Sequence, residues 1–301
     1  MVRNLDSGSE RFLSNLRSIS VRMDRAEREI GSGKRVTQAS DDPDVLANLM
    51  QAHTNIARLV QTKSNLSRVQ TEVDAAENAM QSSVKLMDRV RTLAMTGASN
   101  MQTAETRESL AGEIGSIIER MVGIANTEVD GRFIFSGDSD QGPAFLYDAA
   151  QTPAWGAYLG TAATRRAMHP TGVTFGVSED GGQIFANTDP SKNVLQAMET
   201  MRAALLSNNE AAMTAALAPL GEISKHLNMA LAYYGTAQSQ LTEAADTTEK
   251  LKLRMETERA SLEDSDVTES LVELQQLKFS QQAALEVRSK VPKTSLFDYL
   301  G

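Results

Sequence analysis

Apolar residues recur along most of this chain at alternating spacings of three and four, the signature of helices that bury one narrow face. Phe12, Leu16, Ile19, Met23, Ala26 and Ile30 follow this spacing without a break, and Gly31 and Gly33 end the helix they predict. Asp42 and Pro43 then supply a cap and a first helical residue. The stripe resumes with Val69, Val73, Ala76, Met80, Met87, Val90 and Ala94, interrupted once by Ser83. A helix from Pro43 to about Thr96 would be roughly 80 Å long at 1.5 Å per residue and needs neighbours running beside it. Leu110, Ile114, Ile117, Met121 and Ile124 predict a third helix, over about 106–127. Leu217, Leu220, Leu227, Leu231, Tyr234, Leu241 and Met255 share one heptad frame, the pattern of coiled-coil-like packing. A final helix is expected from Val267 to about Lys290, with Asp266 as its cap and Glu269 completing a capping-box pattern.

Composition shifts near Asp130. The stretch 131–190 holds four of the seven prolines and is rich in glycine. Short β-type runs stand between these breakers: Phe133–Phe135, Ala144–Tyr147, Val173–Val177 and Gln183–Phe185, with Asp180-Gly181 as a hairpin-turn dipeptide. The expected fold is mainly α: an elongated rod of long antiparallel coiled-coil-like helices, with a small β-rich inserted domain and the N- and C-termini packed together. The nested layout predicts three domains. Residues 1–40 with 265–301 form a terminal helical domain, 41–130 with 191–264 a long-helix domain, and 131–190 the β-rich outer domain.

The chain of 301 residues has no cysteine, which removes disulfides, thiolate chemistry and cysteine-ligated metals from consideration. A formal net charge of −9 disfavours nucleic acid as a partner. No run approaches the ~20 apolar residues of a membrane helix, and the first 20 residues lack the continuous apolar core of a cleaved signal peptide. Gly31-Ser32-Gly33-Lys34-Arg35 resembles a phosphate-binding loop but has Arg28 and Arg35 where that loop needs Gly and Ser or Thr, so a flexible helix-ending turn is expected. Asp138-Ser139-Asp140-Gln141-Gly142 lacks the later acidic ligands of a calcium loop and reads as a surface turn. Asp41, Asp42 and Asp44 suit helix capping better than a metal. His53, His169 and His226 have neither metal-ligand spacing nor a neighbouring nucleophile. No cofactor, metal or catalytic site is expected, and the chain is not read as an enzyme.

The last helix is apolar on several sides. Leu271, Leu274 and Leu285 suggest one seam; Leu277, Ala284, Val287 and Val291 suggest a second; Val272, Phe279 and Ala283 lie on yet another side. Such a helix must be covered on several sides, either by its own core or by other subunits. The candidate assembly residues are Phe12, Leu16, Ile19, Met23 and Ile30 at one end, and Leu271, Leu274, Leu277, Phe279 and Leu285 at the other. Leu296, Phe297 and Tyr299 complete the set. Leu274→Asp is expected to abolish assembly while leaving the isolated subunit folded.

Ile30-Gly31-Ser32-Gly33-Lys34-Arg35-Val36 followed by Ala39-Ser40-Asp41-Asp42-Pro43 resembles the N-terminal signature of flagellin-related axial proteins. Asp130-Gly131-Arg132-Phe133-Ile134-Phe135-Ser136-Gly137 and the ending Ser295-Leu296-Phe297-Asp298-Tyr299-Leu300 are similar to the hook–filament junction proteins, or hook-associated protein 3 family, of the flagellin superfamily. The start, Met1-Val2-Arg3-Asn4 and then Asp6 to Ser9, is more polar than that pattern. The helical likeness covers roughly 1–137 and 190–301. It implies a flagellar structural protein that joins hook to filament, exported unfolded through the type III channel and placed outside the cell. Its implied partners are copies of itself, a hook-side junction protein, flagellin and, before secretion, a flagellar export chaperone that holds the C-terminal region. The terminal helices would line the inner tube, the long helices the next shell, and the insertion would face solvent. Two other readings stay open: a flagellin-type filament subunit, and a cytoplasmic coiled-coil signalling or scaffold protein.

Overall fold

A computed structural model of the chain describes residues 7–290. The elements in order are helices α1 (Ser7–Ser32), α2 (Pro43–Gly97) and α3 (Ala104–Ala125), and strands β1 (Glu128–Val129), β2 (Arg132–Phe133), β3 (Arg166–Met168) and β4 (Thr174–Gly176). Helices α4 (Gly181–Phe185), α5 (Val194–Leu206), α6 (Glu210–Glu263) and α7 (Val267–Lys290) follow. The fold is mainly α, with long helices side by side and a small inserted region of short strands. By compactness the chain divides into two units. One contains the described residues before Leu59 and after Leu251; the other runs from Leu59 to Leu251.

In the larger unit the 3-4 stripe of α2 becomes the core. Val73, Ala76, Met80, Met87, Val90 and Ala94 are buried, and the interrupting Ser83 is buried with them because its hydroxyl donates to the Ala79 carbonyl at 2.9 Å. Ile114, Ile117 and Met121 of α3 and Leu220, Leu227, Tyr234 and Leu241 of α6 join the same cluster. α3 starts where the Thr103 side chain accepts the Thr106 N–H, and α5 where the Asn193 side chain accepts that of Gln196. A break between α5 and α6 adds to the sequence reading. Asn208 turns the chain in the left-handed region at φ 48°, and Asn209 caps α6 through the Ala212 N–H.

The insertion follows the sequence in composition and departs from it in detail. β1 and β2 form an antiparallel hairpin whose two-residue loop is Asp130-Gly131, at φ 51° and 78°. This is the positive-φ pair that a type I′ turn requires. Asp180-Gly181 is not a hairpin turn. Asp180 caps α4, its carboxylate accepting the Gly182 N–H at 2.8 Å, and the run Gln183–Phe185 is helical rather than extended. β3 and β4 pair antiparallel with Ala167 opposite Phe175, and β3 itself carries no sequence signal of alternation. Ala144–Tyr147 makes one isolated bridge, Tyr147 to Trp155. Aromatic side chains are few in the chain, yet the buried ones gather here: Phe135 meets Phe185 and Tyr234 edge to face at 5.5 and 6.2 Å, and Phe145 packs on Tyr158 at 5.4 Å.

Candidate assembly interface

The smaller unit brings the first and last described helices together. α1 and α7 lie antiparallel, with Ser9 beside Arg288, Arg22 beside Glu273 and Glu29 beside Ser270. The Arg22 guanidinium donates twice to the Glu273 carboxylate, at 3.1 and 2.6 Å, and Arg288 sits 5.7 Å over the Phe12 ring. Their shared core is thin. Ala26 of α1 and Ser270, Leu274 and Leu277 of α7 are buried, while Phe12, Leu16, Ile19, Met23 and Ile30 are half-buried.

A strap then ties α1 to the joint between α6 and α7. Gly33 turns left-handed at φ 70°, and Lys34 bridges to Asp264. The Arg35 and Val36 N–H groups donate to the Glu263 carbonyl at 2.7 and 3.3 Å, and the Ser265 N–H donates to the Gly33 carbonyl at 3.0 Å. Lys34 pairs with the buried Glu263 carboxylate, and Arg35 donates to Asp42 at 2.7 Å and to the Leu262 carbonyl at 3.0 Å. The segment that resembles a phosphate loop is therefore a fastened strap, not a flexible turn, and its cations are engaged by protein. Asp41 accepts both N–H groups of Thr37 and Gln38 and the Thr37 hydroxyl, which hold its carboxyl below the usual range; Arg35 does the same for Asp42. Asp42 also accepts the Val45 N–H, so these carboxylates shape a turn and a helix start. Asp266 accepts the N–H groups of Thr268 and Glu269 and caps α7.

With α1 in place, the faces of α7 sort themselves. The seam toward α1 is Ser270, Leu274 and Leu277, continued by the half-buried Gln281 and Ala284. It is not the Leu271–Leu274–Leu285 seam, because polar Ser270 occupies an inward position and donates its hydroxyl to Glu29 at 2.9 Å. Leu271 and Leu285 are about half exposed along the seam's edge, as is Val267. Val272 and Phe279 stand seven residues apart on the opposite face, and Phe279 is 74% exposed. Val287 is exposed too. Of the candidate residues, the chain itself covers Leu274 and Leu277, so Leu274→Asp would disturb the α1–α7 pair before any assembly. It is not a selective probe. Leu296, Phe297 and Tyr299 lie outside the described residues.

Each histidine has a local engagement: His53 lies 4.0 Å from Glu263, His169 pairs with the Thr171 hydroxyl, and His226 meets the Gln183 and Ile184 carbonyls. Among the described residues no three acidic or histidine side chains are grouped to hold a metal, and no helix is long and apolar enough to cross a membrane. Sequence reasoning missed Arg107, which is buried at 3% exposure. It donates to the Gly97 and Ser99 carbonyls at 2.9 and 3.1 Å and to Asn208, and pairs with Glu210 at 3.4 Å. It thereby ties the α2–α3 turn to the α5–α6 turn.

A paired α1 and α7, long packed helices and an apolar outer face on α7 define the class of the fold: a long-helix subunit with a small inserted region of short strands. Residues 7–140 match the bacterial flagellin N-terminal helical region and residues 217–300 the bacterial flagellin C-terminal helical region, together more than two thirds of the chain. The chain belongs to the flagellin superfamily, a family of structural proteins of the bacterial flagellum and not of enzymes. Flagellin B of Helicobacter pylori is 29% identical over 126 residues, 42% of this chain, and the match spans about a quarter (24%) of that relative's length. In fold, a flagellar hook-associated protein from Vibrio parahaemolyticus superposes with a TM-score of 0.66 at 20% identity, over 74% of this chain and 100% of its own. The flagellar junction protein FlgL from Legionella pneumophila gives a TM-score of 0.52 at 12% identity, over 73% and 100%.

Proposed function

We propose that this chain is a junction subunit that couples the flagellar hook to the filament through helix packing. The observation that carries the reading is the apolar surface α7 leaves open: Val272 and Phe279 on the face opposite α1, Val287 beside them, and Leu271 and Leu285 along the edge of a seam already satisfied by α1. Fully burying one such side chain is worth about 1.5–3 kcal/mol, so an uncovered row of them favours neighbours. In this reading the terminal pair lines an inner tube with its helices along the assembly axis, the long helices form the next shell, and the insertion faces solvent. The three-part division at about residues 40, 130, 190 and 265 describes these layers. The subunit leaves the cell unfolded by type III export after release from a chaperone, then contacts copies of itself, a hook-side junction protein and flagellin. The likeness in fold to hook-associated and junction proteins supports this choice within the superfamily.

A filament subunit is the second reading, favoured by the flagellins among the sequence relatives. Electron microscopy of a deletion strain tests the two. Intact hooks without filaments, with flagellin released into the medium, are expected for a junction subunit. Normal filaments in the deletion strain would overturn both readings. Self-polymerisation of the purified chain into long filaments would select the second.

A further inference from the structure

Where α2 meets the inserted region, four guanidinium groups surround a shallow cleft of about 280 Å³. Arg68, Arg132, Arg165 and Arg166 line it, with Glu72 as the acidic member and Val177 as part of an apolar floor. Arg165 is taken by Glu72 at 2.6 Å, and Arg132 lies 3.6 Å from Asp140. Arg166 bonds to the side chain and carbonyl of Thr174, and Arg68 points to no carboxylate among the described residues, so two positive charges have no ion-pair partner. In a chain of net charge −9 this is a local reversal of sign. Guanidinium groups present paired donors that fit a carboxylate two-pronged. The cleft is open and shallow, which suits a side chain from a protein surface better than an enclosed small anion.

The complementary charge lies on the chain itself, at the same level. The α6 segment beside the cleft is fixed by two cross-helix contacts, Lys63 to Glu249 at 2.6 Å and Gln238 to Asp74 at 2.9 Å. Residues 238–249 therefore run antiparallel to 63–74, the stretch that carries Arg68. Within that segment Glu243 and Asp246 are exposed, and neither has an ion pair among the described residues. Copies related by rotation about an axis along the helices meet through two different faces, and each face keeps its height. We infer that the arginine cleft docks the Glu243 and Asp246 carboxylates of a second copy of this chain. The helix orientation in this step rests on the proposed junction role; the cleft and the acidic pair do not.

The test converts the contact into a covalent bond. In the variant Arg68→Lys with Arg166→Lys, the positive charge is kept and an amine is introduced. Purified flagella carrying this variant are treated with a carbodiimide, which joins an amine and a carboxylate in contact as an amide with loss of water. The expected product is a dimer of this chain, absent from the unsubstituted protein, with the amide mapped by mass spectrometry to Glu243 or Asp246. It should be lost when Glu243→Gln and Asp246→Asn are added. Amides confined to Glu72 or Asp140, a link to a different protein, or a dimer that survives the amide substitutions would each overturn the inference while leaving the junction role standing. Absence of the chain from purified flagella would remove both.

Discussion

Replacing Phe279 separates folding from assembly. The ring is 74% exposed on the α7 face opposite Leu274, so little of it is buried in the subunit, and Phe279→Ala should change subunit stability by no more than about 0.5 kcal/mol. Leu277, at 5% exposure, is the internal control. Leu277→Ala removes side-chain volume from a buried seam and should cost about 2–5 kcal/mol, discounted toward the lower end because the α1–α7 core is thin. If neighbouring subunits cover Phe279, its loss removes about 1.5–3 kcal/mol per contact, roughly a ten- to hundredfold weakening each. Thermal melting of the monomer by circular dichroism, together with filament retention under graded shear, reads both quantities. The expected pattern is a wild-type melt with early filament loss for Phe279→Ala, and a lowered or broadened melt for Leu277→Ala. Wild-type filament retention in Phe279→Ala, or a melt as perturbed as that of Leu277→Ala, would refute the assignment of this face to assembly.

Three other outcomes are open to measurement. Arg107→Met leaves the Gly97 and Ser99 carbonyls short of a buried donor and should destabilise the larger unit by about 1–3 kcal/mol per lost bond, visible as a lower Tm. Burial raises the Glu179 carboxyl above its ordinary value, so the folded state holds its proton more tightly than the unfolded one. That contribution is fully present below the unfolded pKa of about 4.3 and is lost as pH rises through the folded pKa. Glu179→Gln should thus raise the Tm at pH 7 and leave it nearly unchanged at pH 3.5; an equal shift at both would contradict the sign. Hydrogen exchange should be faster in α1 and α7 than in α3 and α5, because α7 buries three residues where α3 and α5 bury eight each. Equal protection in a dilute monomer would point to a terminal core larger than the one the described residues form.

The helices were legible because a 3-4 stripe sustained over many turns has one geometric solution, and their ends carried local chemistry in Gly33, Asp42-Pro43, Asn193 and Asp266. Short elements had no such redundancy. Asp-Gly occurs at 130–131 and at 180–181, and the dipeptide alone does not say whether the aspartate will turn a hairpin or cap a helix. The following Gly182 and a five-residue α4 decide for the cap, and one turn and a half is too short to show a period. Ile134 and Phe135 look like a continued strand but are both buried, which irregular backbone permits and a two-sided strand would not need. The α5–α6 break was signalled by Ser207-Asn208-Asn209 yet hidden by apolar residues on both sides. On the candidate assembly face the sequence revealed that α7 is apolar on several sides. It did not reveal which side α1 covers, because the inward position is taken by Ser270, bonded to Glu29, polar residues that no apolar pattern marks.

The strap and the α1–α7 pair join residues that are far apart in the chain, with 251 positions separating Arg22 from Glu273. Synthesis delivers α1 well before α7, so α1 has no seam to pack against until Leu277 has been made. The leading segment is thus the slowest to find shelter and the readiest to give it up. Anything that sequesters the α7 segment would therefore leave α1 without the helix that covers it.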